Sequence, residues 1–329
     1  MSYSPLSTKA SRLGSIMLLG VATIGGVASP ARAQAYVTRA DALLSAGRVF
    51  AAESLYYMAV RRAPRDPEAR LALGKYLAAR GAWRVGAVLM EEARYFGGDA
   101  QVVANELIPV YARLGDYGQL AVLRSSQLTY AERSRAEWLR DNPPEVDGPD
   151  SVRVQYAAVD SRTMGRVHVR LGSDSVSAVI DPRAEGLTLD TVWAQGDGIR
   201  TFGSKGAKPL RRTGVAAEAG LGALILRNVP VKFAPQRDRR SATVGLDVLG
   251  RFAPTFDLAR GTMVLRKNGR VAAGQAPGLR YPTLTLRAGP RIIRDNSLVP
   301  LNHVDAARLL RNRRWTLDTR RGEVIVHEP

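Results

Sequence analysis

Residues 177–189 read SAVIDPRAEGLTL, and this stretch decides the fold of the second half of the chain. An apolar run ends in Asp181, turn-forming residues follow, and a second apolar run begins at Leu187. Short apolar runs bounded by turn residues are typical of buried β-strands. The pattern therefore predicts two strands joined by a sharp turn, with Asp181 at the start of that turn.

Three downstream segments extend this pattern. Residues 243–252 read TVGLDVLGRF, residues 255–265 read TFDLARGTMVL, and residues 227–231 read RNVPV. Together with residues 177–189 they resemble the retropepsin-like aspartyl proteases, over about residues 152–267. The resemblance implies an all-β barrel with a glycine-bearing strand, a short helix after it, and a closing hairpin.

The turn that carries Asp181 departs from the family's pattern, in which the letters DTGA follow two apolar residues. Here Pro182 replaces the threonine and Arg183 replaces the glycine. Proline supplies neither a hydroxyl nor an amide donor to lock two paired loops together. A guanidinium two residues from Asp181 favours its charged form, which opposes a proton shared between two carboxyl groups. We therefore expect a barrel that retains the protease fold but has no catalytic activity.

Two functions from different classes remain open at this point. In the first, the chain is a protein- or peptide-binding protein whose inactive barrel still adds an extended peptide to a sheet edge. In the second, it is an active aspartic endopeptidase of the retropepsin type, a homodimer in which each copy supplies Asp181. That mechanism needs two carboxyl groups, one acting as base on a water molecule and one as acid.

Two more aspartates fall at positions that suggest catalysis. Asp257 lies in the turn of the closing hairpin, where a carboxylate accepts hydrogen bonds from turn amides, so we expect a structural role. Residues 316–326 repeat residues 255–265 at an offset of 61, as a second lobe of the barrel would. Asp295 is the positional candidate for that lobe's aspartate, but the segment is too short for a full lobe. We expect it to pack on the barrel, over the surface that a partner chain would use.

The first third of the chain has a helical pattern that repeats about every 34 residues. The repeat is marked by glycines in one phase, Gly47, Gly81 and Gly115, and its third unit is interrupted by Pro109. The pattern resembles the tetratricopeptide (TPR) repeat, which implies an α-solenoid of antiparallel helix pairs with a concave, peptide-binding groove. Six arginines would favour an acidic partner if they line that groove: Arg39, Arg61, Arg62, Arg65, Arg80 and Arg84.

Residues 1–33 have the pattern of a cleavable signal peptide. Lys9 and Arg12 precede an apolar run, Ile16 to Val27, that is too short to span a bilayer. Small residues flank Arg32, which predicts cleavage after Ala33. The alternative is an uncleaved membrane anchor. The prediction is a periplasmic or secreted protein, and the Ala- and Arg-rich composition suggests a bacterium.

The chain is strongly basic, with a formal net charge of +18, and loss of Lys9, Arg12 and Arg32 with the signal lowers it to +15. The basic residues form no dense stripe with interleaved aromatic residues, so no nucleic-acid module is predicted. Anionic envelope polymers are a possible partner, and a solvated basic surface is the alternative. The chain has no cysteine, and its three histidines lie far apart, so no metal or cofactor site is predicted.

Residues 141–150 combine proline, glycine and acidic residues and cannot continue a helix. Beyond them the apolar pattern changes to the period of two that is typical of strands. The predicted protein is therefore α+β with two domains. Its parts are a signal peptide (1–33), a TPR-like helical domain (34–140), a linker (141–150), a retropepsin-like barrel (151–268) and a C-terminal β extension (269–329).

Overall fold

The computed structural model describes residues 30–157, 164–181, 184, 186–196, 198–204, 208, 212–236, 241–257, 259–271, 278–286, 289–294, 297–301, 310 and 313–327. In this described part of the chain, seven helices come first and a β-barrel follows. The predicted order of a helical part before a barrel is therefore confirmed. The apolar run of the predicted signal peptide falls outside the described residues.

The helical part consists of α1 (Pro30–Ser45), α2 (Val49–Arg62), α3 (Pro67–Ala79), α4 (Trp83–Tyr95), α5 (Ala100–Leu114), α6 (Tyr117–Val122) and α7 (Tyr130–Asp141). Each of the first six helices packs on the helix that follows it in the chain. The turns between α1 and α2, α3 and α4, and α5 and α6 are short, as in antiparallel helix hairpins. With six residues, α6 is shorter than α2 or α4, so the third hairpin is the irregular one.

The repeated glycines end the first helix of each hairpin. Gly47, Gly81 and Gly115 have φ angles of 77°, 92° and 70°, in the left-handed region that glycine adopts without a steric cost. A different pair of glycines lets α3 and α4 approach closely. A Cβ atom on Gly86 would lie only 2.7 Å from the carbonyl oxygen of Gly74. The repeated glycines therefore form the turns, and a further pair permits the close helix contact in the second hairpin.

Helix α7 begins with a capping box. The hydroxyl of Thr129 accepts a hydrogen bond from the amide of Glu132, whose carboxylate accepts one from the amide of Thr129. Trp138, near the other end of the helix, lies 6.2 Å from the ring of Phe202 in the β domain. Helix α7, the last of the seven, therefore also joins the helices to the barrel.

The β domain contains β1 (Glu145–Asp147), β2 (Ser151–Gln155), β3 (Arg166–Leu171), β4 (Asp174–Asp181), β5 (Leu187–Leu189), β6 (Ile199–Phe202), β7 (Thr213–Leu221), β8 (Leu224–Phe233), β9 (Ser241–Gly245), β10 (Thr255–Asp257), β11 (Thr262–Arg266), β12 (Gly278–Leu286), β13 (Gly289–Arg294), β14 (Ser297–Pro300), β15 (Trp315–Asp318) and β16 (Glu323–His327). One short helix, α8 (Leu246–Leu249), follows β9 directly. Six strands close the barrel in the order β8-β5-β9-β4-β3-β7, because β7 pairs again with β8.

Two segments join sheets in ways that the sequence pattern does not predict. β1 lies inside the predicted linker and pairs antiparallel with β8 at the edge of the barrel. The predicted C-terminal extension contributes β12 to β16 to a second sheet of order β14-β13-β12-β16-β15-β10-β11-β2. The second sheet therefore combines strands from the barrel region with strands from the extension.

The apolar cores cross the predicted domain boundaries. Trp315 and Val324 of the extension share a core with Phe256 and the barrel strands. Leu284 and Ile293 of the extension pack with α1, α2 and α3. The helices, the barrel and the extension are thus packed as one body. Across the described residues, no helix combines the length and the apolar character needed to cross a bilayer.

Candidate functional site

Asp181 is the last residue of β4 and lies beside Gly245, the last residue of the parallel strand β9. The amide of Ala184 donates to the carbonyl of Asp181 over 3.1 Å, which closes a tight turn. The amide of Gly245 donates to the carbonyl of Gly186 over 2.8 Å, which fixes the returning chain beside β9. Asp181 is half-buried and lies where two parallel strands end. The two backbone hydrogen bonds fix the chain that follows it, at Ala184 and at Gly186.

Pro182 and Arg183 lie outside the described residues. The same is true of Asp295, the candidate aspartate of a second lobe. The effect of the proline and the guanidinium on Asp181 therefore stays a prediction from the sequence.

Two distant parts of the chain lie close to Ala184, in the turn after Asp181. Ala184 lines a narrow space of about 30 Å³ whose other walls come from the α3–α4 turn and from the extension. Trp83, Thr283 and Thr319 are among these walls. A space of this size holds about two water molecules. Ala184 therefore lies beside residues of the helical part and of the extension.

Direct contacts hold the helices, the extension and the barrel together at this point. A guanidinium nitrogen of Arg80 donates to the carbonyl of Thr283 over 2.6 Å, and the hydroxyl of Thr319 donates to the carbonyl of Gly250 over 2.8 Å. Gly322 turns with a φ angle of 62°, and a Cβ atom there would collide with the carbonyl of Arg80. Sequence reasoning missed these residues because their contacts join positions between 69 and 242 residues apart, and no local pattern marks such pairs.

The two repeated hairpins meet edge to edge. β15 pairs antiparallel with β10, so that Thr316 lies opposite Thr255 and Trp315 lies opposite Phe256. Thr255 and Thr316 are equivalent residues at the offset of 61, and their hydroxyl oxygens lie 2.7 Å apart. A contact between equivalent positions is what a two-fold axis produces in a symmetric dimer. β15 therefore covers the edge of β10 in the manner of a partner chain.

A buried chain of hydrogen bonds crosses this pairing. A guanidinium nitrogen of Arg266 donates to the hydroxyl of Thr255 over 2.8 Å, and Thr255 contacts Thr316. The hydroxyl of Thr316 then lies 2.7 Å from Nε2 of His327. Burial, together with the charge of Arg314, lowers the pKa of Arg266. Because these four polar side chains are hydrogen-bonded in sequence inside the second sheet, their place in the fold is structural.

The turn aspartate Asp257 has the structural role expected from the sequence. Its carboxylate accepts a hydrogen bond from the amide of Arg260 over 3.1 Å. Its equivalent in the extension, Asp318, accepts one from Arg320 and one from Arg321, each over 3.1 Å. Both carboxylates therefore hold hairpin turns.

The helices form an open groove of about 830 Å³, lined mainly by α1, α3 and α5. Three acidic side chains and two basic ones line it: Asp41, Glu68, Glu106, Lys75 and Arg113. The ammonium of Lys75 lies 3.0 Å from the carboxylate of Glu106. None of the six arginines noted in the sequence is among the described lining residues, so they do not set the charge of this groove.

Tyrosine–carboxylate pairs join consecutive helices. Tyr56 donates to Asp41 over 2.5 Å and Tyr76 donates to Glu53 over 3.0 Å. A third pair joins α5 to α4, where Tyr111 donates to Glu91 over 2.6 Å. Burial raises the pKa of Tyr56, Tyr76 and Tyr111 well above the usual range, and the neighbouring carboxylates raise it further.

The histidines do not form a metal site in the described part of the chain, where no three His, Cys, Asp or Glu side chains are placed to hold an ion. His168 is exposed on β3, as its place in the alternating pattern predicts. His327 is buried and bonded to Thr316, and His303 lies outside the described residues.

Comparison with known proteins yields a structural likeness and no sequence relative. No protein-family model matches the chain, and no curated protein matches it. Among solved structures, the chain is similar to a retropepsin-like aspartic protease from Rickettsia conorii, with 17% identity over 37% of this chain and 91% of the other. The TM-score is 0.26. At this level of similarity, function has to be argued from the site itself.

Proposed function

We propose that this chain is an exported, periplasmic protein that binds polypeptides without cutting them. In this proposal a TPR-like helical groove holds the polypeptide. The second part is a retropepsin-like barrel in which Asp181 is catalytically silent. The barrel serves as the structural support for the helices that form the groove.

The observation that carries the binding role is the groove itself. It is open, its volume of about 830 Å³ lies within the range of ligand sites, and it offers both charge signs beside apolar walls. Thr285 of the extension contributes to its lining, so the groove ends against the β domain. A concave surface of this composition suits an extended or helical peptide that carries mixed charges.

The packing around Ala184, three residues after Asp181, supports the absence of catalysis. An aspartic protease needs a water molecule between two carboxyl groups and a cleft that admits a peptide. The space beside Ala184 is about 30 Å³, and its walls are fixed by hydrogen bonds from Arg80 and Thr319. In addition, β15 covers the β10 edge, where a second copy would otherwise pair.

Export rests on the signal-like residues 1–33. Cleavage after Ala33 would start the mature chain within the first turns of α1. It would remove Ala33, which lies in a buried apolar cluster with Ala59 and Ala63. N-terminal sequencing of protein recovered from the periplasm of an expressing bacterium tests this. Gln34 is the expected first residue, and an intact Met1 in a membrane fraction would indicate the uncleaved anchor.

Selection from a phage-displayed library of random 12-residue peptides tests the groove. We expect the wild-type chain to enrich a peptide class, and Lys75→Glu to weaken its binding about tenfold, as loss of a key interface contact does. Arg94→Glu is the matched control, because Arg94 pairs with Glu91 outside the groove lining. Failure to enrich any peptide, or an equal loss in both variants, would count against a binding groove.

The competing function is an active aspartic endopeptidase that works as a homodimer through Asp181. It is tested by incubating the purified chain with unfolded casein from acid to neutral pH, beside Asp181→Asn. We expect no cleavage by either protein. Cleavage by the wild type that Asp181→Asn abolishes would establish the protease and end the proposal of a silent barrel.

A further inference from the structure

A second cavity, of about 140 Å³, lies between the helices and the barrel. Its walls are mainly apolar and come from both sides, with Leu120 and Leu139 on the helices and Leu226, Val248 and Phe252 on the β domain. It is separate from the narrow space at Ala184, with which it shares only Arg113.

The guanidinium of Arg135 lines this cavity without an acidic partner. One of its nitrogens donates to the hydroxyl of Thr213 and, over 3.0 Å, to the carbonyl of Val231, both neutral groups. Glu132, one turn earlier, is engaged in capping Thr129, with contacts of 2.8 and 2.9 Å. Within the described residues, no carboxylate lies in ion-pair contact with Arg135.

This arrangement leaves a partly buried guanidinium with neutral hydrogen-bond partners and no ion pair among the described residues. Burial lowers the pKa of Arg135, and the charge of Glu132 offsets only part of that effect. Charges that are wholly or partly removed from water in proteins are normally paired with an opposite charge. Five basic and two acidic side chains line the cavity; one of the basic ones, Arg227, is paired with Asp147 and Glu218, and the others still outnumber the acidic ones, which favours an anion.

We propose that the cavity binds a small organic anion with an apolar body, whose carboxylate pairs with Arg135. The size of the cavity sets the size of the ligand, since an apolar cavity of about 150 Å³ accommodates benzene. Benzoate has one ring and one carboxylate and is therefore the probe that matches both the volume and the charge. Its carboxylate would supply the bidentate acceptor that guanidinium groups prefer. The site adjoins the peptide groove, with which it shares Ile108, Pro109 and Arg113, but Arg135 lines the cavity alone, and the proposal does not depend on any activity at Asp181.

Titration calorimetry of the full chain with benzoate and with benzyl alcohol tests the site. Benzyl alcohol has the same ring but no charge, so we expect benzoate to bind about tenfold more tightly or better. Arg135→Met should remove that preference. Arg140→Met is the matched control, because Arg140 lies on the same helix and pairs with Asp141 outside the cavity lining. It should bind benzoate like the wild type.

A cavity-filling variant keeps the test decisive if Arg135→Met does not fold. Ala112 is half-buried on α5 and lines the cavity, so Ala112→Phe should fill it and abolish benzoate binding while circular dichroism stays native. Equal affinity for benzoate and benzyl alcohol would overturn the proposal. So would undiminished benzoate binding by Ala112→Phe or by a folded Arg135→Met.

Discussion

At Gly86 the backbones of α3 and α4 approach so closely that no side chain fits between them. The site has ordinary helical geometry, so the glycine is required for space and not for its conformational freedom. Gly118, in α6, is the opposite case. A Cβ atom there would meet nothing closer than 3.7 Å.

We predict that Gly86→Ala destabilises the protein by about 1–3 kcal/mol, because its methyl group would lie 2.7 Å from a backbone oxygen. Gly118→Ala should instead stabilise it by about 0.5–1 kcal/mol, because alanine is the better helix former and the space is open. Urea unfolding followed by circular dichroism measures both changes. A neutral or stabilising Gly86→Ala would contradict the close approach.

At the residue scale, the sequence predicts what depends on near neighbours. The turn glycines Gly47, Gly81 and Gly115 and the turn aspartate Asp257 are visible in it because each acts within a few residues of its own position. The roles of Thr319 and Gly322 are not visible. Each depends on a contact with a residue far along the chain, and a lone threonine or glycine in a turn suggests only a turn.

At the scale of elements, the helices are joined by tyrosines whose hydroxyl groups donate to carboxylates on the preceding helix. Tyr56, Tyr76 and Tyr111 belong to three different helices, so the same type of contact recurs along the stack. Burial, more than the carboxylates, raises the pKa of each hydroxyl.

The raised pKa values predict a loss of stability in alkali. In the unfolded chain these hydroxyls ionise near their usual pKa of about 10, whereas in the folded chain they stay protonated to higher pH. Their contribution is therefore complete below pH of about 10 and falls as the pH rises beyond it. Circular dichroism and tyrosinate absorbance, followed together, should show helix loss coinciding with ionisation of the buried tyrosines.

Phenylalanine variants provide the control for this pH dependence. Tyr76→Phe removes one ionising group and should flatten the alkaline decline in stability. Tyr95→Phe should leave the decline unchanged, because Tyr95 is 84% exposed. Tyrosinate absorbance that rises fully while the helices stay folded would contradict the argument.

The pairing of β10 with β15 gives a second prediction for the elements. Thr255→Val or Thr316→Val alone should cost about 1–3 kcal/mol, because each leaves buried polar groups without a partner. The double variant should cost less than the sum of the two, since residues in one hydrogen-bond network couple. A double-mutant cycle by urea unfolding measures this coupling. Strict additivity would mean that the two hydroxyls do not interact.

The strands of the barrel could be predicted from the sequence better than those of the extension. Alternating residues in β3 and the apolar run of β4 report which side of a strand is buried, and this signal is local. β1, in the predicted linker, is only three residues long, and its apolar partner lies on β8. A segment so short does not carry a pattern of its own.

At the scale of the whole molecule, the most pronounced feature of the sequence is its positive net charge. The formal net charge of +18 falls to +15 without the predicted signal peptide. We predict that the mature chain sediments with anionic cell-envelope polymers at low ionic strength and is released when salt is added. The reason is that the electrostatic screening length falls from about 10 Å at 0.1 M salt to about 3 Å at 1 M. Co-sedimentation across a salt series measures this binding. If the chain does not bind these polymers at low salt, its basic residues serve only to keep the surface hydrated.

The edge-to-edge pairing of the two end hairpins has a consequence for how the protein behaves on dilution. Two separate chains that met through this seam would come apart as their concentration falls. Here both halves belong to one polypeptide, so the seam closes at a fixed effective concentration. The fraction of molecules in which the two hairpins are paired therefore does not depend on how much of the protein a cell makes. A gene that encodes both halves also fixes their one-to-one ratio.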